Sequence, residues 1–173
     1  GAVSILKPLL GPNTGVISLQ NGVVAVDTLI ETIDKRHVLG GVSKIAALIE
    51  EPGIVRHNGK MAALVFGELN GEKSERSVAF FQACQSANIS AELSSDIHTA
   101  IWEKFVLLVT MSSITALTRL PIGPNREDPD TRQLMEEIME EVIEELSTHF
   151  SLVIEEVVHT TELVEFKLPK QIR

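Results

Sequence analysis

The sequence predicts an α/β region over residues 1–95 followed by an all-α region over residues 96–173. Three observations predict it. Before residue 95 the apolar runs are short, rich in β-branched residues and separated by clusters of Gly, Pro and Asn. After it, Phe105 to Thr118 runs for 14 residues without a charge. From Leu134 to Leu146, apolar pairs then alternate with pairs of glutamate, the pattern of an amphipathic helix with an acidic outer face.

Taken in order, Gly11-Pro12-Asn13-Thr14-Gly15 is a turn cluster feeding Val16-Ile17-Ser18-Leu19, a run suited to a buried strand. Gln20-Asn21-Gly22 breaks it. Val23 to Ile33 carries apolar residues at helical spacing (Val23, Val26, Leu29, Ile30, Ile33), and a strand is expected to begin near Val38. Glu51-Pro52-Gly53 is a turn before Ile54-Val55-Arg56-His57. Asn58-Gly59 reads as a hairpin, with Ala62 to Phe66 as its returning strand. Ser74 to Ala87 reads as a helix burying Val78, Phe81 and Phe80, and Ile89 to Leu93 as a short strand.

In the second region, Ser94-Ser95-Asp96 offers side-chain oxygens to the orphan N–H groups of a helix over Ile97–Thr118. Pro121-Ile122-Gly123-Pro124-Asn125 is expected to stop it. Asp128-Pro129 starts another helix, with Asp as cap and Pro in the first turn. A further short helix is expected near Ile154 to Phe166.

Composition narrows the function classes. The chain has 173 residues, 44% hydrophobic and 23% charged, enough for a sizeable core. Its net charge of −9 carries no basic patch, so no nucleic-acid partner is expected. The excess is local: residues 126–173 hold 13 acids against 5 bases, while residues 1–125 are nearly balanced. A single cysteine, Cys84, fits a reducing compartment and reads as a core residue. The five histidines show no metal-ligand spacing, and the chain has no Gly-x-Gly-x-x-Gly or P-loop. A membrane span needs about 20 apolar residues, so the 14-residue uncharged run reads as a buried core helix. The first residues lack the build of a signal peptide, and a cytoplasmic protein is expected.

Two residues stand out chemically. Lys104 shares a helical stripe with Ile97, Ile101, Leu108, Met111, Ser112 and Thr115. A lysine in such a stripe either is partly desolvated, with a lowered pKa that suits it to general-acid work, or reaches past the edge to water. Asn21, beyond a strand end where α/β sheets bind ligands, either contacts a ligand or merely makes a turn. Spacing leaves both questions open.

Several motifs, in order and spacing, resemble the ketopantoate reductase (2-dehydropantoate 2-reductase) family. They are Leu19-Gln20-Asn21-Gly22-Val23, His57-Asn58-Gly59 through Phe66-Gly67-Glu68-Leu69, Leu93-Ser94-Ser95-Asp96-Ile97, Ile101-Trp102-Glu103-Lys104-Phe105, Thr115-Ala116-Leu117 and Pro121-Ile122-Gly123. The resemblance implies the end of a Rossmann-type cofactor domain and the start of a helical substrate and dimerisation domain of the 6-phosphogluconate-dehydrogenase type. It implies NADPH-dependent reduction of a 2-keto acid, ketopantoate to pantoate in pantothenate biosynthesis, by a homodimer. Lys104 would be the general acid, Asn21 would contact cofactor and substrate, and Ser112 and Thr115 would line the substrate side.

The chain departs from the family at two polar positions, with Leu108 one turn after the lysine and Ile122 inside Pro121-Ile122-Gly123. A paralogue acting on another, more apolar keto acid is therefore an alternative. So are a dehydrogenase of a sugar or β-hydroxy acid and a non-catalytic dimerisation module built on the 97–118 and 131–149 helices. The resemblance also implies a glycine-rich turn before residue 1 and further helices after residue 173. The chain is accordingly expected to be an internal stretch that neither binds NADPH well nor turns over alone.

Overall fold

The computed structural model describes residues 2–150, with side chains over 5–146. The helix expected near Ile154 lies outside the described residues. Two compact units divide the chain, Gly1–Trp102 and Glu103–Arg173.

The first unit is built on a mixed four-stranded sheet of order β1-β2-β3-β4: β1 (Val16–Ile17), β2 (Val38–Glu51), β3 (Ile54–Glu68) and β4 (Ala91–Leu93). β1 pairs parallel to β2, β2 antiparallel to β3, and β3 parallel to β4. Each parallel pair is bridged by a helix, α1 (Ala25–Thr32) between β1 and β2 and α2 (Glu75–Ser86) between β3 and β4. The expected periodicity of α1 holds: Val26, Leu29 and Ile33 are buried with Val38. The strand expected over 16–19 is shorter, because Leu19 lies 45% exposed past the last pairing at Ile17.

The hairpin turn is Pro52-Gly53 and not Asn58-Gly59. Pro52 fixes its own φ near about −65°, Gly53 takes φ 88°, and Glu51 pairs directly with Ile54. Asn58-Gly59 instead forms a bulge inside β3. Pairing jumps from Ala47–His57 to Ile45–Ala62, so residues 58–61 stand opposite Ala46 alone. Gly59 supplies the positive φ (77°), and a ring nitrogen of His57 donates to the Met61 carbonyl across the bulge at 2.9 Å. The Asn-Gly pair thus marked a left-handed residue correctly but not the reversal of the chain.

α2 begins as expected, with Ser74 Oγ accepting from the Ser77 N–H at 3.2 Å. Its buried residues are Ser77 and Cys84, whereas Val78 and Phe81 are half-buried and Phe80 is exposed. The fully buried Phe66 meets Phe80 edge-on at 4.9 Å, so Phe80 packs against it while staying 41% exposed.

α3 (Ile97–Thr118) has the boundaries the sequence predicts. Asp96 caps it, its carboxylate accepting from the Thr99 N–H at 3.1 Å and the Thr99 hydroxyl at 2.7 Å. Its first turn seats on glycine. A Cβ at Gly40 would lie 2.6 Å from Ile97 Cγ1, and one at Gly67 would lie 2.4 Å from the Ser94 carbonyl. Replacing Gly40 by alanine should therefore unseat Ile97 and cost about 1–3 kcal/mol, read as a lowered Tm. Shortening Ile97 to Val in the same protein should return part of that loss.

Beyond residue 102, α3 buries Val106, Thr110 and Ile114 at four-residue spacing. Its 22 residues are long and apolar enough to cross a membrane by length and composition alone, and 22% of its 18-residue apolar window is buried. Core helices of soluble proteins pass the same length test. The Pro121–Asn125 segment does not simply stop it but forms a short helix, α4 (Ile122–Glu127), with Pro121 as its cap residue. Asn125, buried at its end, donates to the Leu120 and Pro121 carbonyls at 3.2 and 2.9 Å. α5 (Pro129–Phe150) starts at Asp128, whose carboxylate accepts from the Thr131 N–H at 2.9 Å. It buries Met135, Met139 and Leu146 and turns Glu137, Glu140, Glu141, Glu144 and Glu145 to water.

Candidate active site

The site residues expected from the sequence fall in both units. Asn21 belongs to the first; Lys104, Ser112 and Thr115 belong to the second.

Asn21 follows the carboxyl end of β1 within an exposed polar loop, Leu19-Gln20-Asn21. Gly22 beside it takes φ 93°, and a Cβ there would meet nothing within 4 Å. An open polar loop past the carboxyl end of a parallel strand fits one contact to a nicotinamide dinucleotide. No glycine-rich phosphate turn lies among the described residues, so the fit is to part of such a site.

Lys104 is half-buried on α3, and burial pushes its ammonium below the usual lysine range. It lies on the face running from Ile97 through Ile101 to Leu108, Met111 and Thr115, away from the buried Val106–Thr110–Ile114 side. Thr115 is nearly in line with it. Ser112 is turned about 80° from Lys104 by helical geometry and is exposed, so the expected stripe does not hold it. Both hydroxyls are engaged with their own helix. Ser112 Oγ donates to the Leu108 carbonyl at 2.5 Å, and Thr115 Oγ1 to the Met111 carbonyl at 2.7 Å.

Among the described residues, no group of three His, Cys, Asp or Glu could hold a metal ion. Cys84 is a buried free thiol. The sequence reading missed the ion pair between Glu68 and Arg76. Arg76 Nε and Nη2 each lie 2.7 Å from a Glu68 carboxylate oxygen, and Ser74 donates to the same carboxylate at 2.5 Å. Eight residues separate the pair across a strand end and a helix start, a spacing that carries no local signal. Its role is to seat α2 at the end of β3.

Comparison with known proteins settles the lineage. Sequence models of the two parts of one family match in order, ketopantoate reductase PanE/ApbA over residues 1–71 and its C-terminal part over residues 96–170. The chain belongs to the ketopantoate reductase family. It is 31% identical to the 2-dehydropantoate 2-reductase of Mesorhizobium japonicum over 77% of its length. The chain spans 39% and 47% of the lengths of the curated relatives it matches first.

Among solved structures, the 2-dehydropantoate 2-reductase of Geobacter metallireducens superposes with a TM-score of 0.80 at 24% identity, covering 95% of this chain and 56% of that one. A D-mandelate dehydrogenase solved with NADH gives 0.79 at 18% identity, covering 96% and 58%. These likenesses bear on fold alone. A mixed sheet followed by helices is the Rossmann-like domain and helical domain of ketopantoate reductases.

Proposed function

We propose that the protein containing this chain reduces a 2-keto acid to the 2-hydroxy acid with NADPH, with Lys104 as the general acid and ketopantoate as the family's reference substrate. The observation that carries this reading is a lysine half-buried on an apolar helix face, its ammonium destabilised by that burial, within Ile101-Trp102-Glu103-Lys104-Phe105, which resembles the family's lysine motif.

When bound, the dihydronicotinamide supplies a hydride to the keto carbon. The negative charge that develops on the carbonyl oxygen is what Lys104 answers. Its ammonium stabilises that oxygen and then donates a proton from Nζ, leaving an alcohol and a neutral amine that regains its proton from water. A lowered pKa makes Nζ a better acid toward the developing alkoxide. Asn21 offers an amide to hydrogen-bond the cofactor. Thr115 lies on the substrate side of α3, and Ser112 reaches it only from the flank. A homodimer in the cytoplasm, with a small keto acid as the only other partner, completes the proposal.

The test uses the full-length protein, following oxidation of NADPH and of NADH with a panel of 2-keto acids. Replacing Asn21 by alanine should raise the KM for the nicotinamide cofactor roughly 2- to 12-fold, the value of one hydrogen bond. The keto-acid KM should change less. An unchanged cofactor KM would remove Asn21 from the site.

A further inference from the structure

Resting on the homodimer of that reading, we infer that two copies of the chain join along the outer edge of β2, strand to strand about a two-fold axis at Ala47. β1 lines that edge only at Val38 and Leu39, and β4 lines the far side of β3 only at Leu64 to Phe66. From Lys44 to Ala62 the hairpin therefore runs on as a two-stranded ribbon, with no further strand paired to it among the described residues. A long bare edge is a template for another strand unless something blunts it. The β3 edge is blunted, because residues 58–61 bulge out of register and Lys60 stands exposed among them. The extra residues of that bulge all belong to β3, so β2 stays regular from Lys44 to Ile49. It also carries large apolar side chains in the open, Ile45 at 48% and Ile49 at 76% exposure.

This edge complements itself. Directly opposed residues of an antiparallel pair share a face, and faces alternate along a strand, so a two-fold contact centres on a residue. A centre at Ala47 sets Lys44 opposite Glu50 of the second copy, and Ile45 opposite Ile49. Moved to Ala46, the centre would set Lys44 against Leu48; moved to Leu48, it would set Ile45 against Glu51. Of the three, Ala47 alone matches charge with opposite charge and hydrocarbon with hydrocarbon, and the symmetry makes each match twice. Both kinds of cross-strand pair are stabilising. Arg56 Nε donates to the Glu50 carboxylate at 2.8 Å and so holds it on the ribbon. The contact is short, which makes the association weak and concentration-dependent.

Cysteines placed in the full-length protein read the register. Opposed Cα atoms in an antiparallel pair lie about 4.5–5.5 Å apart, within reach of a disulfide. Ala47→Cys should therefore give a linked dimer under copper–phenanthroline oxidation, above the level of the unmodified protein. Ile49→Cys should give at least roughly 5-fold less despite its exposure, because two copies of residue 49 stand about 13 Å apart along the strands. In the Ala47→Cys background, Lys44→Glu and Glu50→Lys should each lower the yield roughly 5-fold or more, since each sets like charges opposite one another. Mixed one to one, those two proteins should link again, because the two changes then meet across the axis. A variant that had merely failed to fold would not be rescued by mixing.

No link at Ala47→Cys, an equal link at Ile49→Cys, or a yield that the charge changes leave unmoved would overturn the inference. Sedimentation of the unmodified protein separates the two ways of failing. A dimer there with no link at Ala47→Cys leaves the homodimer standing and removes this contact, whereas a monomer at every concentration removes both.

Discussion

Lys104→Ala in the full-length protein should lower kcat for keto-acid reduction by about 10²- to 10⁴-fold, the usual worth of a positioned general acid, while cofactor affinity stays within a few-fold. Lys104→Arg should fail to rescue it, because a guanidinium keeps its charge but gives up no proton. The pH dependence has a fixed sign. Reduction needs the ammonium, so kcat/KM is level at low pH and falls as pH rises through the lysine pKa. Burial lowers that pKa, so the fall comes at lower pH than an exposed lysine would give. A kcat that survives Lys104→Ala, or a profile flat throughout the alkaline range, would take the proton donor away from this residue.

The largest effect on stability is expected at the Glu68–Arg76 pair. Glu68 is 9% exposed, and Arg76 hydrogen bonds hold its carboxyl below the usual range against the opposing cost of burial. Arg76→Met leaves that carboxylate without its partner and should cost about 2–3 kcal/mol, below the figure for a fully buried pair because Arg76 keeps 29% of its side chain exposed. A carboxyl whose folded pKa is depressed stabilises the fold above its unfolded value, 4.5, and loses that contribution as pH falls through the folded value beneath it. The gap in Tm between the two proteins should therefore be full at neutral pH and close as pH drops below 4.5. The Glu68→Gln/Arg76→Met double variant should recover part of the loss, since no charge is left buried. A gap independent of pH would mean that Arg76 acts through packing alone.

The sequence was most legible where local chemistry decides structure. Asp96 and Asp128-Pro129 are cap signals satisfied by bonds within one turn, so both helix starts fell where expected. The 14 uncharged residues after Lys104 marked α3 and drew attention to its lysine. It was least legible where tertiary packing decides. Asn58-Gly59 has the composition of a hairpin turn, yet Pro52-Gly53 had already reversed the chain, leaving Gly59 to spend its positive φ on a bulge. The contacts of α2 include the Phe66–Phe80 ring pair and an ion pair across eight residues, neither of which shows as periodicity. At the site, a stripe written at three- and four-residue spacing accumulated a quarter-turn error by Ser112, which lies exposed on the flank.

The most direct test of the reductase reading is transfer of the hydride itself. The full-length protein is incubated with NADPH deuterated at the nicotinamide C4 and with a mixture of aliphatic and aromatic 2-keto acids, and the products are read by mass spectrometry. The account predicts a 2-hydroxy acid carrying one deuterium at the former keto carbon, formed by the unmodified protein and nearly absent with Lys104→Ala. Folded protein that deuterates none of the acids, or a Lys104→Ala variant that deuterates them as fast as the unmodified protein, would contradict it.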